Sequence, residues 1–481
     1  MDRPHTPKRR SAVRRAPSVK KAYNKSDWPD PAPSVHSLLL KHTERTLKRY
    51  GRGIPQHVEN TLLRMHYCRT PVLGTRQYRC DPCDFEKTVY NSCGDRNCPN
   101  CSGAKRRDWL DKTKELVAPG VTYFQVVFTL PAELSSLALG NRKEIYDLLF
   151  RVAWKCLSRK IEKELGIQSA AQAVLHTWNQ RTGHHPHVHF AVPGNGPSLD
   201  GTRWVPCKTT KEGAPFLVDN KELSAEFRDE FLKELQGLIK KNKILLEEPG
   251  YIADMLSELA DMAWNVFIER PPVPGMPAEQ MFKYLAKYMT GGPISDRRIL
   301  GERDGRIWFL ARSPRKGEGQ IVTSLECTEF VRNWCMHVLP KEYTKARSYG
   351  VWSCSKRTEY RQLCTQLTAN QTTTSPNQTC ELSPAKPPKK TAPDCPHCGQ
   401  CMQVLKAEDR PSWREVFARE GHPDWFQPID IDSEFPQEPK PTWEHAHALH
   451  ALHALHARQR WEEPDIFDEI IAMREALLPN G

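Results

Sequence analysis

Two cysteine pairs, Cys80-x2-Cys83 and Cys98-x2-Cys101, stand fourteen residues apart in the chain. Each pair presents two thiolates from one tight turn, and two such turns complete a tetrahedral Zn²⁺ site. Pro82 and Pro99 preset the backbone of those turns. Cys68 and Cys93 lie in the same block and offer extra ligands for a second or shared metal. A further pair, Cys395-x2-Cys398, sits in DCPHCGQCM with Cys401 beside it. One turn supplies only two or three ligands and no clear second turn accompanies it, so Cys354, Cys364, Cys380 and His397 are the available complements. In HHPHVHF, His187 and His189 alternate with Val188, so a strand's period of two puts both imidazoles on one face. Two imidazoles there can hold a divalent cation against a DNA phosphate. Tyr284 and Tyr288 are four residues apart, on one face of a helix. A phenol is a poor nucleophile until it is aligned with a polarised phosphate; its attack then leaves a 5′-phosphotyrosine and a free 3′-hydroxyl. Taken singly, a His-x-His arises by chance and a Tyr-x3-Tyr is most often a core stripe. Their co-occurrence with the cysteine turns carries the reading.

The elements that must position these residues follow from periodicity. Residues 1–33 read as a disordered basic arm, and Ser34 to Tyr50 as a helix broken by Gly51 and Gly53. The cysteine block fills roughly 54–108. VTYFQVVFTL at 121–130 reads as a strand ended by Pro131, and 141–165 as a helix. AQAVLHTW at 171–178 and HVHFAV at 187–192 read as two strands joined by a polar turn, with His184 and His185 in the loop. Residues 223–270 read as mainly helical, and 278–290 as a helix stopped by Gly291, Gly292 and Pro293. This order predicts an α+β fold: a central antiparallel sheet with flanking helices, preceded by a small zinc-binding domain. The expected domains are 34–110 for helix plus zinc binding, 118–350 for the catalytic unit, a linker at 351–392, and a C-terminal region at 393–481. In that last region HAHALHALHALHA repeats every three residues, so its histidines wind around a helix instead of sharing a face.

A chain of 481 residues is long enough for two or three domains. The net charge of +12 favours a polyanionic partner. Arg76, Arg79, Lys87, Arg96, Lys105, Arg106 and Arg107 surround the cysteine turns, which suits a zinc-held DNA reader as well as a plain staple for the N-terminus. No apolar run of about 18 residues occurs, so no membrane span or membrane partner is expected. The basic start lacks the apolar stretch of a secretory signal, and sixteen cysteines without one point to a reducing compartment and to metal ligation.

The order CRTPVLGTRQYRCDPC, NSCGDRNCPNC, YFQVVFTLP, LHTW, HPHVHFAVPG, FKYLAKYMT and HVLPKEYTKARSYG resembles the two-tyrosine rolling-circle transposases typified by insertion sequence ninety-one. The resemblance covers roughly residues 40–355. It implies a zinc-binding domain followed by an HUH nuclease domain, where U is a hydrophobic residue. His187, Val188 and His189 would be the metal-holding motif, and Tyr284 and Tyr288 the paired nucleophiles. It further implies structural Zn²⁺, a catalytic Mg²⁺ or Mn²⁺, and a third polar ligand. Gln280, four residues before Tyr284, is the candidate and Glu279 its competitor. Lys283 and Lys287 flank the tyrosines and could touch the scissile strand. The implied partners are element ends, single-stranded and target DNA, and host replication machinery, in a bacterial cytoplasm. The segment from His337 to Gly350, with Arg347, resembles a family block that either packs on the core or binds DNA.

Two positions depart from the family pattern. Asn97 replaces a histidine common before the second cysteine turn, and Gln125 replaces one common in the first nuclease strand. Neither removes a named catalytic group. Two alternatives use the same residues: a plasmid replication initiator or relaxase of the same chemistry, and a non-catalytic zinc-dependent DNA-binding regulator. No GxxxxGK[ST] motif accompanies them, so a fused helicase is unsupported.

Overall fold

The computed structural model describes residues 28–103, 121–246, 249–269, 292–313, 319–353, 355–369 and 392–426. Lys105, Arg106, Arg107, Gln280, Lys283, Tyr284, Lys287 and Tyr288 lie outside the described residues, as do Cys354, Cys380 and the histidine-rich repeat.

Helix α1 (Val35–Tyr50) starts where the Ser34 side chain accepts from Ser37 N, and it buries Val35, Leu38, Leu39, His42, Thr43 and Thr46 along one stripe. Helix α2 (Gln56–His66) packs beside it. Strands β1 (Thr75–Cys80) and β2 (Phe85–Tyr90) form a hairpin. The chain then enters β3 (Tyr123–Thr129), helix α3 (Arg142–Leu165), β4 (Ala170–Trp178) and β5 (His184–Pro193). Helices α4 (Asn220–Lys240) and α5 (Pro249–Asp261) lead to β6 (Asn265–Glu269). The stretch 223–270 is therefore not helical to its end: Trp264 closes the apolar core, and Asn265–Glu269 pairs with β3.

A meander of β7 (Ile299–Arg303), β8 (Arg306–Arg312) and β9 (Gln320–Glu326) precedes helix α6 (Cys327–Met336). Strand β10 (Ala346–Gly350) follows, then helix α7 (Arg357–Ala369). The expected linker at 351–392 thus contains a helix, anchored by buried Tyr360 and Cys364. Strand β11 (Gln403–Ala407) and helix α8 (Trp413–Glu420) complete the described chain.

The central sheet is antiparallel with order β6-β3-β5-β4-β10. Alternate residues Phe124, Val126 and Phe128 of β3, Ala171, Ala173 and Leu175 of β4, and Val188, Phe190 and Val192 of β5 face one core. Helices α3 and α4 cover that face through Ile145, Leu149, Val152, Phe227 and Phe231. Each large apolar side chain buried there contributes about 1.5–3 kcal/mol. The ion pairs between the two helices, such as Arg151–Glu234 at 2.6 Å and Lys155–Glu230 at 2.5 Å, are solvent-facing. Exposed pairs contribute about 0–1 kcal/mol each, so apolar burial decides the packing.

A second core does not respect sequence order. Leu38, Leu39, Val58 and Leu62 of α1 and α2 bury against Ile299, Ile307, Phe309, Phe330 and Trp334 of the meander and α6. Val416 and Phe426 from the C-terminal segment join them. Val35 N donates to Asp296 Oδ1 at 2.7 Å, and Arg49 pairs with Glu326 at 2.6 Å. Residues 294–338 therefore pack their apolar side chains against the N-terminal module, while Arg298, Asn333 and His337 hydrogen-bond residues 177–182 at the β4–β5 turn. The 337–350 block packs on the core: its last five residues form β10 and pair with β4, and Arg347 bonds Asp147 and stacks over Phe150.

Gly350 ends β10 with φ +60°, and an added Cβ would lie 1.9 Å from the Ser169 carbonyl oxygen. That oxygen accepts from Val351 N at 3.1 Å and cannot withdraw without breaking the edge of the sheet. Gly350→Ala is expected to destabilise the protein by at least about 2 kcal/mol, read as a lowered thermal or urea midpoint.

Candidate metal centres and active site

The four cysteines expected to share one zinc site separate into two clusters. Cys98 and Cys101 join Cys68 and Cys93, whereas Cys80 and Cys83 join Cys395 and Cys398. The hairpin explains the split: β1 ends in the 80–83 turn, while the chain after β2 passes back under α2 and carries Cys93, Cys98 and Cys101 to Cys68. In the first cluster the Sγ–Sγ distances are 3.6 Å for Cys68–Cys101, 3.5 Å for Cys93–Cys101 and 3.6 Å for Cys68–Cys98. A tetrahedron of sulfurs about 2.3 Å from zinc has edges of about 3.8 Å, whereas a disulfide needs about 2.05 Å. The spacing fits a metal and not a crosslink, and all eight thiols are unoxidised. Hydrogen bonds from Cys101, Cys93 and Cys98 hold the Cys68 thiol far below the usual range, while the same crowding pushes Cys98 far above it. Four thiolates at this spacing require a cation. Backbone N–H groups of Cys93 and Asp95 point at Cys68 and Cys93 sulfurs, each at 3.5 Å. Asn97 is no ligand: its N and Nδ2 donate to Asp95 Oδ1 at 2.9 and 3.1 Å.

On the central sheet, the face away from α3 and α4 carries a histidine cluster. His187 lies opposite His176 across the β4–β5 ladder, and His189 is two residues further along the same face. Ring nitrogens of His176, His187 and His189 all lie within 4.8 Å of one another, and all three residues are buried. His176 is the member the sequence reading passed over. It stands in LHTW, a segment read as a strand, and pairing that strand backwards from the turn would have set it opposite His187. His184 and His185 are strand residues, not loop residues. His184 instead joins the structural framework, bonded to Ser135 Oγ at 2.8 Å and Tyr146 Oη at 2.7 Å.

The histidines are prepared as ligands. His187 Nδ1–H donates to the His185 carbonyl at 2.8 Å, leaving Nε2 as the ligand atom. The Gln125 amide lies 2.9 Å from His189 Nδ1, and its Oε1 has no other partner. With the amide turned so that Oε1 accepts from Nδ1–H, His189 also presents Nε2, so Gln125 performs the orienting role. Burial holds His187 well below the usual imidazole range and His189 down to about 3, with Lys345 adding repulsion to both. His187 and His189 are therefore neutral at physiological pH, as ligands to a divalent cation must be. Lys345 itself is pushed down from 10.5 to about 7, by loss of water and then by Arg96, and lies 4.7 Å over the Trp178 ring.

Of the basic residues expected to meet DNA, Arg76 is exposed on β1. Arg79 is instead engaged by Asp84 at 2.8 Å, with Asp81 and Glu86 each at 3.5 Å. Arg96 is half-buried and donates to the carbonyls of Tyr343, Leu339 and, at 2.8 Å, Pro340. It braces the cysteine module against the sheet, so the structure gives it a different duty from the one expected.

With this geometry in view, comparison with known proteins is direct. Residues 171–359 match the family model described as "Putative transposase", and residues 38–130 match the "Transposase zinc-binding domain". "Putative transposase y4qJ" of Sinorhizobium fredii (strain NBRC 101917 / NGR234) is 35% identical over 321 residues, spanning 63% of this chain and 78% of the relative. "Transposase for insertion sequence element IS801" of Pseudomonas savastanoi pv. phaseolicola is 24% identical over 307 residues, spanning 60% of this chain and 69% of the relative. No solved structure matches the chain. The class these matches define is the DNA transposases. Within it, the chain belongs to the IS91 family.

Two outcomes follow. His176→Ala is expected to weaken Mn²⁺ binding by more than about tenfold and Gln125→Leu by about tenfold, measured by calorimetry on purified protein. A lysine with a lowered folded-state pKa releases its proton on folding, so its penalty is full below about 7 and fades toward 10.5. Stability should therefore rise with pH across that window, and Lys345→Met should flatten the rise in a series of thermal melts.

Proposed function

We propose that the protein is a rolling-circle transposase of the HUH two-tyrosine type, nicking and joining single-stranded DNA. The observation that carries this reading is the buried trio of imidazoles, His176, His187 and His189, on one face of an antiparallel sheet. A Mg²⁺ or Mn²⁺ ion held there would polarise the non-bridging oxygens of a scissile phosphate. Tyr284 and Tyr288 are the proposed nucleophiles, and Gln280 the proposed additional ligand. The phenol oxygen of one tyrosine attacks phosphorus, its proton passes to solvent or a nearby base, and the bond to the 3′ oxygen breaks. The products are a 5′-phosphotyrosine and a free 3′-hydroxyl. Because the phosphodiester is conserved, rejoining needs no ATP. A second tyrosine allows one strand end to stay attached while another is cut. Lys345, beside the histidines, is placed to meet the phosphate's charge, with Lys283 and Lys287 proposed along the strand.

For duplex element ends, the proposed surface is the open sheet β11-β1-β2, which exposes Arg76, Lys87 and Lys406 together with Tyr90. Lys105, Arg106 and Arg107 extend the same proposal. Phosphate contacts from such residues give salt-dependent, largely sequence-independent affinity. The match to the transposase zinc-binding domain, the match to the transposase family model and the transposase names of both relatives support this reading over a replication initiator or a regulator.

The test is cleavage of labelled single-stranded DNA carrying the element end, with Mn²⁺ or Mg²⁺. A covalent protein–DNA adduct is expected that requires metal, falls by at least about a hundredfold in His187→Ala, and vanishes in the Tyr284→Phe/Tyr288→Phe double variant. An adduct that persists without both phenols would overturn the nucleophile assignment.

A further inference from the structure

We propose that Cys80, Cys83, Cys395 and Cys398 hold a second structural zinc ion. Its ligands come half from each end of the chain, so the ion latches residues 392–426 onto the N-terminal module.

The four sulfurs lie within 4.8 Å of one another, and Cys80 Sγ is 3.5 Å from Cys398 Sγ. That is close to the about 3.8 Å edge of a zinc–thiolate tetrahedron and far from a disulfide. Each half is a turn built for the task. After Cys80, residues 81–83 form one turn of 3-10 helix and Asp84 takes φ 47°. After Cys395, His397 N donates to its sulfur at 3.4 Å, and Gly399 N donates to its carbonyl at 2.9 Å with φ +72°. Backbone N–H groups aimed at sulfur stabilise thiolate over thiol. Cys401, the remaining cysteine of this segment, is kept apart: its thiol turns to the Ala392 carbonyl at 3.7 Å. Strand register brings the halves together, since β11 pairs with β1 through Tyr78–Val404 and Arg79–Gln403, immediately before Cys80. An all-sulfur tetrahedral set selects zinc over magnesium or calcium.

The two clusters differ in access. Cys68, Cys93, Cys98 and Cys101 are all buried, whereas Cys398 is exposed and Cys83 half-buried. The latch is therefore the site that yields its metal first to a chelator.

The experiment is native mass spectrometry of the full chain, with zinc content measured in parallel. Wild type and the Cys401→Ser control are expected to carry two zinc ions, and Cys395→Ser/Cys398→Ser one. Thiol-alkylation mapping during stepwise chelation should label Cys80, Cys83, Cys395 and Cys398 before the other four, which decides the matter even where the double variant fails to fold. One zinc in wild type, two in the double variant, or labelling of Cys395 and Cys398 before any metal is removed would overturn the latch. None of these readouts involves DNA cleavage, so the latch and the nuclease reading stand or fall separately.

Discussion

The register of β5 between β3 and β4 is the constraint on which the histidine face depends. A slip of one residue would turn every side chain of β5 to the opposite side. His187 and His189 would enter the α3–α4 core, and Val188, Phe190 and Val192 would leave it. What forbids the slip is the apolar packing of those three residues, together with the turn before them. There the Asn179 side chain accepts from Arg181 N at 3.0 Å and Gly183 N at 2.8 Å, and Asn179 N donates to the Gly183 carbonyl at 3.0 Å. The His184 bonds to Ser135 and Tyr146 pin the strand's start to the segment that leads into α3 and to α3 itself. Hydrophobic burial on one face thus sets imidazole geometry on the other.

The cysteine module shows the complementary principle. Its hairpin exposes most of β2, and it has little apolar surface of its own to bury. Small elements of this kind need a staple. Here two four-cysteine clusters with metal-ligand spacing are joined to borrowed packing from the β7–β9 meander and α6. Arg96 then fixes the assembled module to the carbonyls that precede β10, close to Lys345. The zinc module is consequently hydrogen-bonded to the segment that leads into β10, the strand paired with β4.

Local pattern made much of this legible. The α1 stripe, the strand character of 121–130, and the alternation in HVHFAV each report a periodicity that local burial enforces. Non-local facts were not legible. Which cysteine pairs with which depends on where the hairpin carries Cys80 and Cys83, and two close-spaced turns in sequence need not face each other in space. His176 became a cluster member only through cross-strand register, which no single segment encodes. The 223–270 stretch misled because Asn265–Glu269 is short and follows two amphipathic helices. Arg79 and Arg96 looked like free charge because a sequence does not display the carboxylates and carbonyls that occupy them.

The interleaved core has a consequence for how the chain comes into being. Helix α1 leaves the ribosome early, but Phe309, Phe330 and Trp334, which cover its apolar stripe, are made some 270 to 300 residues later. At about 5–20 residues per second, the nascent N-terminus spends on the order of 15–60 seconds with that surface uncovered. The central sheet, whose strands β3, β5 and β4 are close in sequence, can form during that interval. Synthesis order therefore lets the β3-β5-β4 part of the sheet pair before the residues that cover the apolar stripe of α1 exist.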